Sequence, residues 1–536
     1  MSSARDSTSW EDTAEVCRKI LRDSIPKQWA MNAEDLQTKD IVNANDFLDN
    51  SGILSTEELE MTRSTVKGLL AKYASGTWTV EAVATAFLKR ATVANQLLNF
   101  ATEFLTESAL EGAKALDKHF QENKTLVGPL HGVPISIKAR QARSMFEHIA
   151  VGGKICNASF VSKIGNIPAD DAHIVQLLKR AGAIVPFRTN QPQSLMHLDC
   201  NNNITGMTKN PLNPTLSPGG SSGGEGAAVG SRCSVLGVGT DIGGYVQNPA
   251  SYCDAYGFKP TALRNPALGL NGAMGGQESI RGCVGPLSKS MDDLVRFEKA
   301  LLDQKPWDLE TTLVPLAWRD VKVTKDSLTV GIIVDDGALA IAEEKLKAAG
   351  IKVKHFAPYD HARGWDIVSR LYFADGGERV HAALDASGEP MLPLTQQALN
   401  WPLTITQNWE LNFEREKYRR EYHALMKERG VDVILCPAYV GVGALQGQTR
   451  HWHYTAIWNI LDQPAVSFPS GVVTDKAKDP RITDFKPRSE EDAAEMAAYD
   501  PELYHGIPIS IQLAGKHHQD EELLDAAKLV EEALLA

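Results

Sequence analysis

Long hydrophobic runs are missing from this 536-residue chain. No stretch approaches the roughly 18 consecutive apolar residues of a membrane-spanning helix, which excludes a helical span. Met1 to Ile20 is polar and charged, with Arg5, Asp6, Glu11 and Asp12, so no secretory leader is expected. The end, Glu532-Ala533-Leu534-Leu535-Ala536, holds no readable address. Cysteine is sparse and dispersed, with seven residues at 17, 156, 200, 233, 253, 283 and 436, none in a CxxC pair. That spacing excludes a disulfide framework and reads as reduced thiols of a cytoplasmic protein. Basic charge is not in excess: 55 Lys and Arg against 67 Asp and Glu give a net −12, with no basic stripe to hold nucleic acid. His451 and His453 flank Trp452 without Cys or carboxylate partners at ligand spacing, and no GxGxxG accompanies any strand. Neither a metal nor another cofactor is expected.

What remains is a chain with 43% apolar residues, enough for a large core and suited to a small-molecule substrate. Residues 10 to 120 carry helical periodicity: Thr13 to Arg22, a capping start at Ser55-Thr56-Glu57-Glu58, Thr79 to Leu88, and Ser108 to His119. From 128 to 300 short apolar runs alternate with amphipathic stretches. Strands are expected at Gly132–Ile137, Ala183–Phe187 and Val235–Gly239, and helices at Asp171–Ala181 and around Gly226–Val229. Leu328 to Phe356 reads as strand, helix and strand, the helix ending at Gly350. Residues 474 to 503, charged and proline-containing, read as a surface excursion. The fold class is therefore α/β, a large mixed β-sheet covered by helices on both faces. Residues 1–60 are read as an N-terminal helical extension and 61–536 as one domain, with the N-terminal helices the natural face for a possible homodimer.

Three segments stand out. One is Gly132-Val133-Pro134-Ile135-Ser136-Ile137-Lys138, another Gly219-Gly220-Ser221-Ser222-Gly223-Gly224, and the last Gly239-Thr240-Asp241-Ile242-Gly243-Gly244-Tyr245-Val246-Gln247-Asn248-Pro249-Ala250. Together they resemble the amidase signature family, and blocks such as Tyr256-Gly257-Phe258-Lys259-Pro260 and Trp458 to Ala465 are similar to its fungal acetamidase branch. The resemblance runs from about residue 47 to the C-terminus. It implies a Ser–Ser–Lys hydrolase in which Lys138 is the base and Ser221 the relay serine in a cis peptide. The backbone N–H groups of Ile242, Gly243, Gly244 and residue 245 would hold the oxyanion. Acting at neutral pH, such a lysine must lose about three units from its ordinary value near 10.4, roughly 4 kcal/mol of environmental cost, which burial supplies.

The departures cluster in the same place. The family's third segment reads Gly-Thr-Asp-x-Gly-Gly-Ser-x-Arg-x-Pro-Ala; here Tyr245 stands at the nucleophilic serine and Gln247 at the arginine. Ala139 stands where an Asp usually follows the lysine, and Arg140 to Gly152 does not follow the family continuation. Tyrosine is no substitute for serine: its oxygen lies ångströms farther out and its phenol titrates near 10. The leading reading is a site repurposed to acid–base chemistry (condensation, cyclisation or isomerisation on a small molecule of a biosynthetic pathway) through Tyr245, Lys138 and Ser221. The alternatives are a catalytically silent homologue that binds a ligand or partner, and an amide hydrolase working through a Ser221–Lys138 dyad. Ser222, Gln247 and His148 are candidate substrate contacts. Plain structural roles are open too: Lys138 as a buried lysine bonded to its loop, Ser221 as a helix-capping serine, Tyr245 as an inert aromatic plug and His148 as a solvent-facing histidine.

Overall fold

The computed structural model describes residues 9–32, 34, 36, 41–138, 149, 151–269, 274–334 and 337–536. Among them eleven strands form one mixed sheet. In chain order these are β1 Ala101–Phe104, β2 Ile135–Lys138, β3 Phe187–Thr189, β4 Leu236–Asp241, β5 Tyr256–Lys259, β6 Cys283–Ser288, β7 Thr329–Ile332, β8 Lys352–His355, β9 Val433–Pro437, β10 Ala465–Val473 and β11 Pro508–Ala514. Their order across the sheet is β1-β3-β2-β4-β6-β5-β10-β11-β9-β7-β8. Two parallel triplets, β3-β2-β4 and β9-β7-β8, flank an antiparallel centre. This is the α/β architecture expected from the alternating strand and helix texture.

The first triplet shows how the sequence divides its faces. Side chains alternate along a strand, and every residue of β2 is buried. Ile135 and Ile137 join the core that holds Val83, Phe87, Ile174 and Leu177. Ser136 and Lys138 face the opposite way, toward the helix Gly223–Gly230. Apart from Glu225 that helix is built of small residues, and it is buried throughout, which lets it lie close against the strands.

Several expected boundaries move. The helical reading of residues 10 to 120 misses β1, a short strand between the helices Val80–Leu98 and Thr106–Asn123. Phe100 and Phe104 pack on Phe187 there, so sheet contacts override the helical propensity on either side. The strand expected at Ala183–Phe187 begins only at Phe187, the residues before it making a single bridge from Ile184 to Pro134. The strand–helix–strand unit appears as β7, the helix Gly337–Ala348 and β8, with Gly350 at φ +82° in the turn. The Ser55 start is a full capping box with Glu58. All seven cysteines are free thiols. No helix among the described residues is long and apolar enough to cross a membrane.

Candidate active site

β2, β3 and β4 end together, at Lys138, Thr189 and Asp241. Ligand crevices in open α/β sheets lie outside the carboxyl ends of parallel strands, and the three motif segments converge there. Lys138 is fully buried, and its Nζ donates to Ser221 Oγ at 2.8 Å, Ser222 Oγ at 2.9 Å and Thr240 Oγ1 at 3.1 Å. The Gly220–Ser221 peptide is cis. Glycine is required at 220 by close approach: a Cβ there would fall inside the Asp199 backbone. Asp199 ties this corner down, accepting from Ser217 Oγ at 2.7 Å and the Gly447 N–H at 2.5 Å.

The loop after β4 is braced from both sides. Asp241 accepts from the Gly244 N–H and the Val246 N–H, each at 2.8 Å, and from Asn459 Nδ2 at 2.9 Å. Tyr372 OH donates to the Ile242 carbonyl at 2.8 Å, and Thr455 Oγ1 to the Gly243 carbonyl at 2.9 Å. With those carbonyls held outward, the loop backbone is fixed before any ligand arrives, the condition for electrostatic preorganisation. The Gly244 N–H, one of the four donors expected to face an oxyanion, is engaged by the Asp241 carboxylate. Gly244 sits at φ +102° with Thr455 pressed against it, so a side chain there is excluded twice over.

Tyr245 lies on the same cavity as Ser221 but against a different wall. It is 2% exposed, its ring meets Trp452 edge-on at 5.7 Å, and its OH donates to Met196 Sδ at 3.5 Å. Trp452 in turn packs on Tyr372. The Tyr245 carbonyl accepts from the Ser222 N–H at 3.2 Å, joining the serine loop to the glycine loop through the backbone. The cavity between them measures about 50 Å³ and is lined by Ser221, Thr240, Tyr245, Leu195 and Met196, among others. One wall is hydroxyl-rich around the lysine amine; the other is thioether and aromatic.

The structure thus brings Lys138, Ser221, Ser222 and Tyr245 together with the Ile242–Gly244 backbone. Gln247 opens the buried helix Gln247–Tyr252, and neither amide atom of its side chain has a partner among the described residues. Its neighbour Asn248 ties the two loops together, accepting from the Gly220 N–H at 3.2 Å. His148 and Ala139 lie outside the described residues. No group of three metal-ligating side chains occurs among those described. Sequence reasoning passed over Thr240, Asp241, Glu225 and Met196. Thr240 and Asp241 lay inside a quoted motif, so their positions carried a signal. Met196 carried none, because only folding brings it to residue 245.

The family model described as Amidase matches residues 82–524. The chain belongs to the amidase family. Its relatives include a putative amidase of Schizosaccharomyces pombe, 39% identical, with 94% of this chain and 95% of that protein covered. An acetamidase of Aspergillus oryzae is 35% identical, with 98% of each covered. Among solved structures, a fatty acid amide hydrolase superposes with a TM-score of 0.93 at 38% identity, covering 98% of this chain and 95% of that one. This amidase-family chain therefore shares its sheet and connections with amide hydrolases over nearly its whole length.

Proposed function

We propose that the chain hydrolyses a small-molecule amide, with Ser221 as the attacking hydroxyl and Lys138 as its base. The observation that carries this reading is the 2.8 Å contact between Lys138 Nζ and Ser221 Oγ at the edge of the cavity. Relatives named amidase and acetamidase support the substrate class. In the proposed step the Ser221 proton moves to Lys138 Nζ as Oγ bonds to the amide carbonyl carbon. The carbonyl oxygen becomes an oxyanion beside the Ile242–Gly243 backbone. The ammonium then protonates the departing amine as the C–N bond breaks, and water releases the acyl group from Ser221.

Tyr245, on this reading, replaces the family's nucleophilic serine and acts as a wall. Its hydroxyl contact with the Met196 thioether, a weak acceptor, and its edge contact with Trp452 support that role. A second reading has one observation in its favour: Tyr245 and Ser221 border the same cavity. There the phenol would join Lys138 and Ser221 in proton transfer for a condensation, cyclisation or isomerisation.

A fluorophosphonate probe separates the two. Covalent labelling at Ser221, lost in Ser221→Ala and kept in Tyr245→Phe, is the expected result. Labelling that survives Ser221→Ala overturns the serine assignment. Loss of product formation in a folded Tyr245→Phe moves the chemistry to the phenol.

A further inference from the structure

Beneath Lys138 lies a buried carboxyl group that the proposed chemistry leaves unused. Glu225, in the helix Gly223–Gly230, is fully buried. Its socket is built by three strands. Ser136 of β2 donates to Glu225 Oε2, and Thr189 of β3 donates from Oγ1 to Oε1 at 2.6 Å. Ser136 Oγ also meets Ser234 Oγ at 2.9 Å. On β4, Gly237 clears the space, since a Cβ there would collide with Oε2. Ser136 and Lys138 are two residues apart on one strand, so they share a face. Thr189 is the register partner of Lys138 across the parallel pair. The carboxyl is therefore fastened to the lysine's own strand residue and to the lysine's direct neighbour.

A buried carboxyl that, among the described residues, bonds to two hydroxyls has an evident purpose if a cation forms nearby. We propose that Glu225 is a positioning residue for Lys138, holding its strand through Ser136 and Thr189 and supplying the counter-charge when the lysine takes up a proton. This rests on the reading of Lys138 as a base. Burial raises the Glu225 carboxyl to about 7, opposed by its bonds to Ser136 and Thr189 and by the charge of Lys138. Cys200 also lies near Lys138, and burial pushes its thiol up to about 12 and so keeps it neutral. Across the cleft Asp241 is committed to Gly244, Val246 and Asn459. Transfer of the Ser221 proton to Nζ creates an ammonium in a buried site, a state that a nearby counter-charge stabilises.

The test follows Lys138 itself. With lysine carbon-13 labelled at Cε, its resonance is assigned by its loss in Lys138→Met and titrated by NMR in the wild-type protein and in Glu225→Gln. Removing the counter-charge should shift the lysine's midpoint down by about one pH unit. Thr189→Val, which removes one donor from the carboxylate, should shift it in the same direction by less, and it serves if Glu225→Gln fails to fold. An unchanged midpoint in the folded variants overturns the proposal. Fluorophosphonate labelling measured alongside tells its failure from failure of the catalytic reading. A wild-type protein that never labels at Ser221 counts against the dyad and leaves the NMR result to decide on Glu225. Where labelling occurs, its pH profile should move with the NMR midpoint; a lower plateau with an unmoved midpoint would show a merely structural glutamate and overturn the assignment.

Discussion

The sheet contains two parallel triplets, and they differ in what happens at their carboxyl ends. β3-β2-β4 is buried at nearly every position and ends in Lys138, Thr189 and Asp241 under two glycine-rich loops. β9-β7-β8 reaches the edge of the sheet, where Lys352, Lys354 and His355 of β8 are exposed. Both satisfy the topology that favours a ligand crevice. At the first, the loops come close because Gly219, Gly220, Gly243 and Gly244 let backbone pack where side chains would collide. Parallel strands supply the place, and steric permission in the loops makes it a lysine–serine site.

The largest effect expected is on activity. Lys138→Met should lower turnover of an amide substrate, or Ser221 labelling, about a thousandfold or more, while Lys354→Met at the other triplet leaves the rate unchanged. Equal effects would erase the distinction. Next, Gly220→Ala should cost about 3 kcal/mol or more in urea unfolding, since its Cβ meets rigid backbone. Gly350→Ala, with φ +82° but open space around it, should cost only about 1–2 kcal/mol from the left-handed backbone.

A pH dependence sharpens the same contrast. His197, beside Met196, is held at about 3 by burial, below its unfolded value of 6.5. The unfolded chain therefore binds the extra proton first. Stability contributed by this group is present above pH 6.5 and falls by roughly 1.4 kcal/mol per unit as pH drops from there toward 3. Urea midpoints measured from pH 7 to 4 should fall accordingly, and His197→Phe should flatten the slope. The smallest effect is expected at the aromatic wall. Tyr245→Phe should change stability by less than about 1 kcal/mol, because the hydroxyl's bond to Met196 Sδ is weak.

Much of this was legible in the chain. The capping box at Ser55, the β7–helix–β8 unit and the small-residue helix after Ser222 all rest on local rules of spacing and caps, and these hold whatever the surroundings. β1 was not legible, since four residues become a strand there only by pairing with β3, 83 to 88 residues away in register. Gln247 carried a family position but its side chain has no partner among the described residues, whereas Asn248, not singled out in the sequence, accepts from the Gly220 N–H. Met196 and Trp452 meet Tyr245 from 49 and 207 residues away, beyond any periodic signal.

The order of residues alone determined the family, the α/β class and the set of groups that could react: one lysine, two serines and a tyrosine where a third hydroxyl residue was expected. Tertiary structure decided which of them touch. It placed the lysine against the serine pair and the phenol against sulfur and indole. The physical reason is that contact chemistry depends on approach through space, fixed by strand register and by glycines that admit backbone. A linear chain specifies those distances only once its long-range pairs have closed.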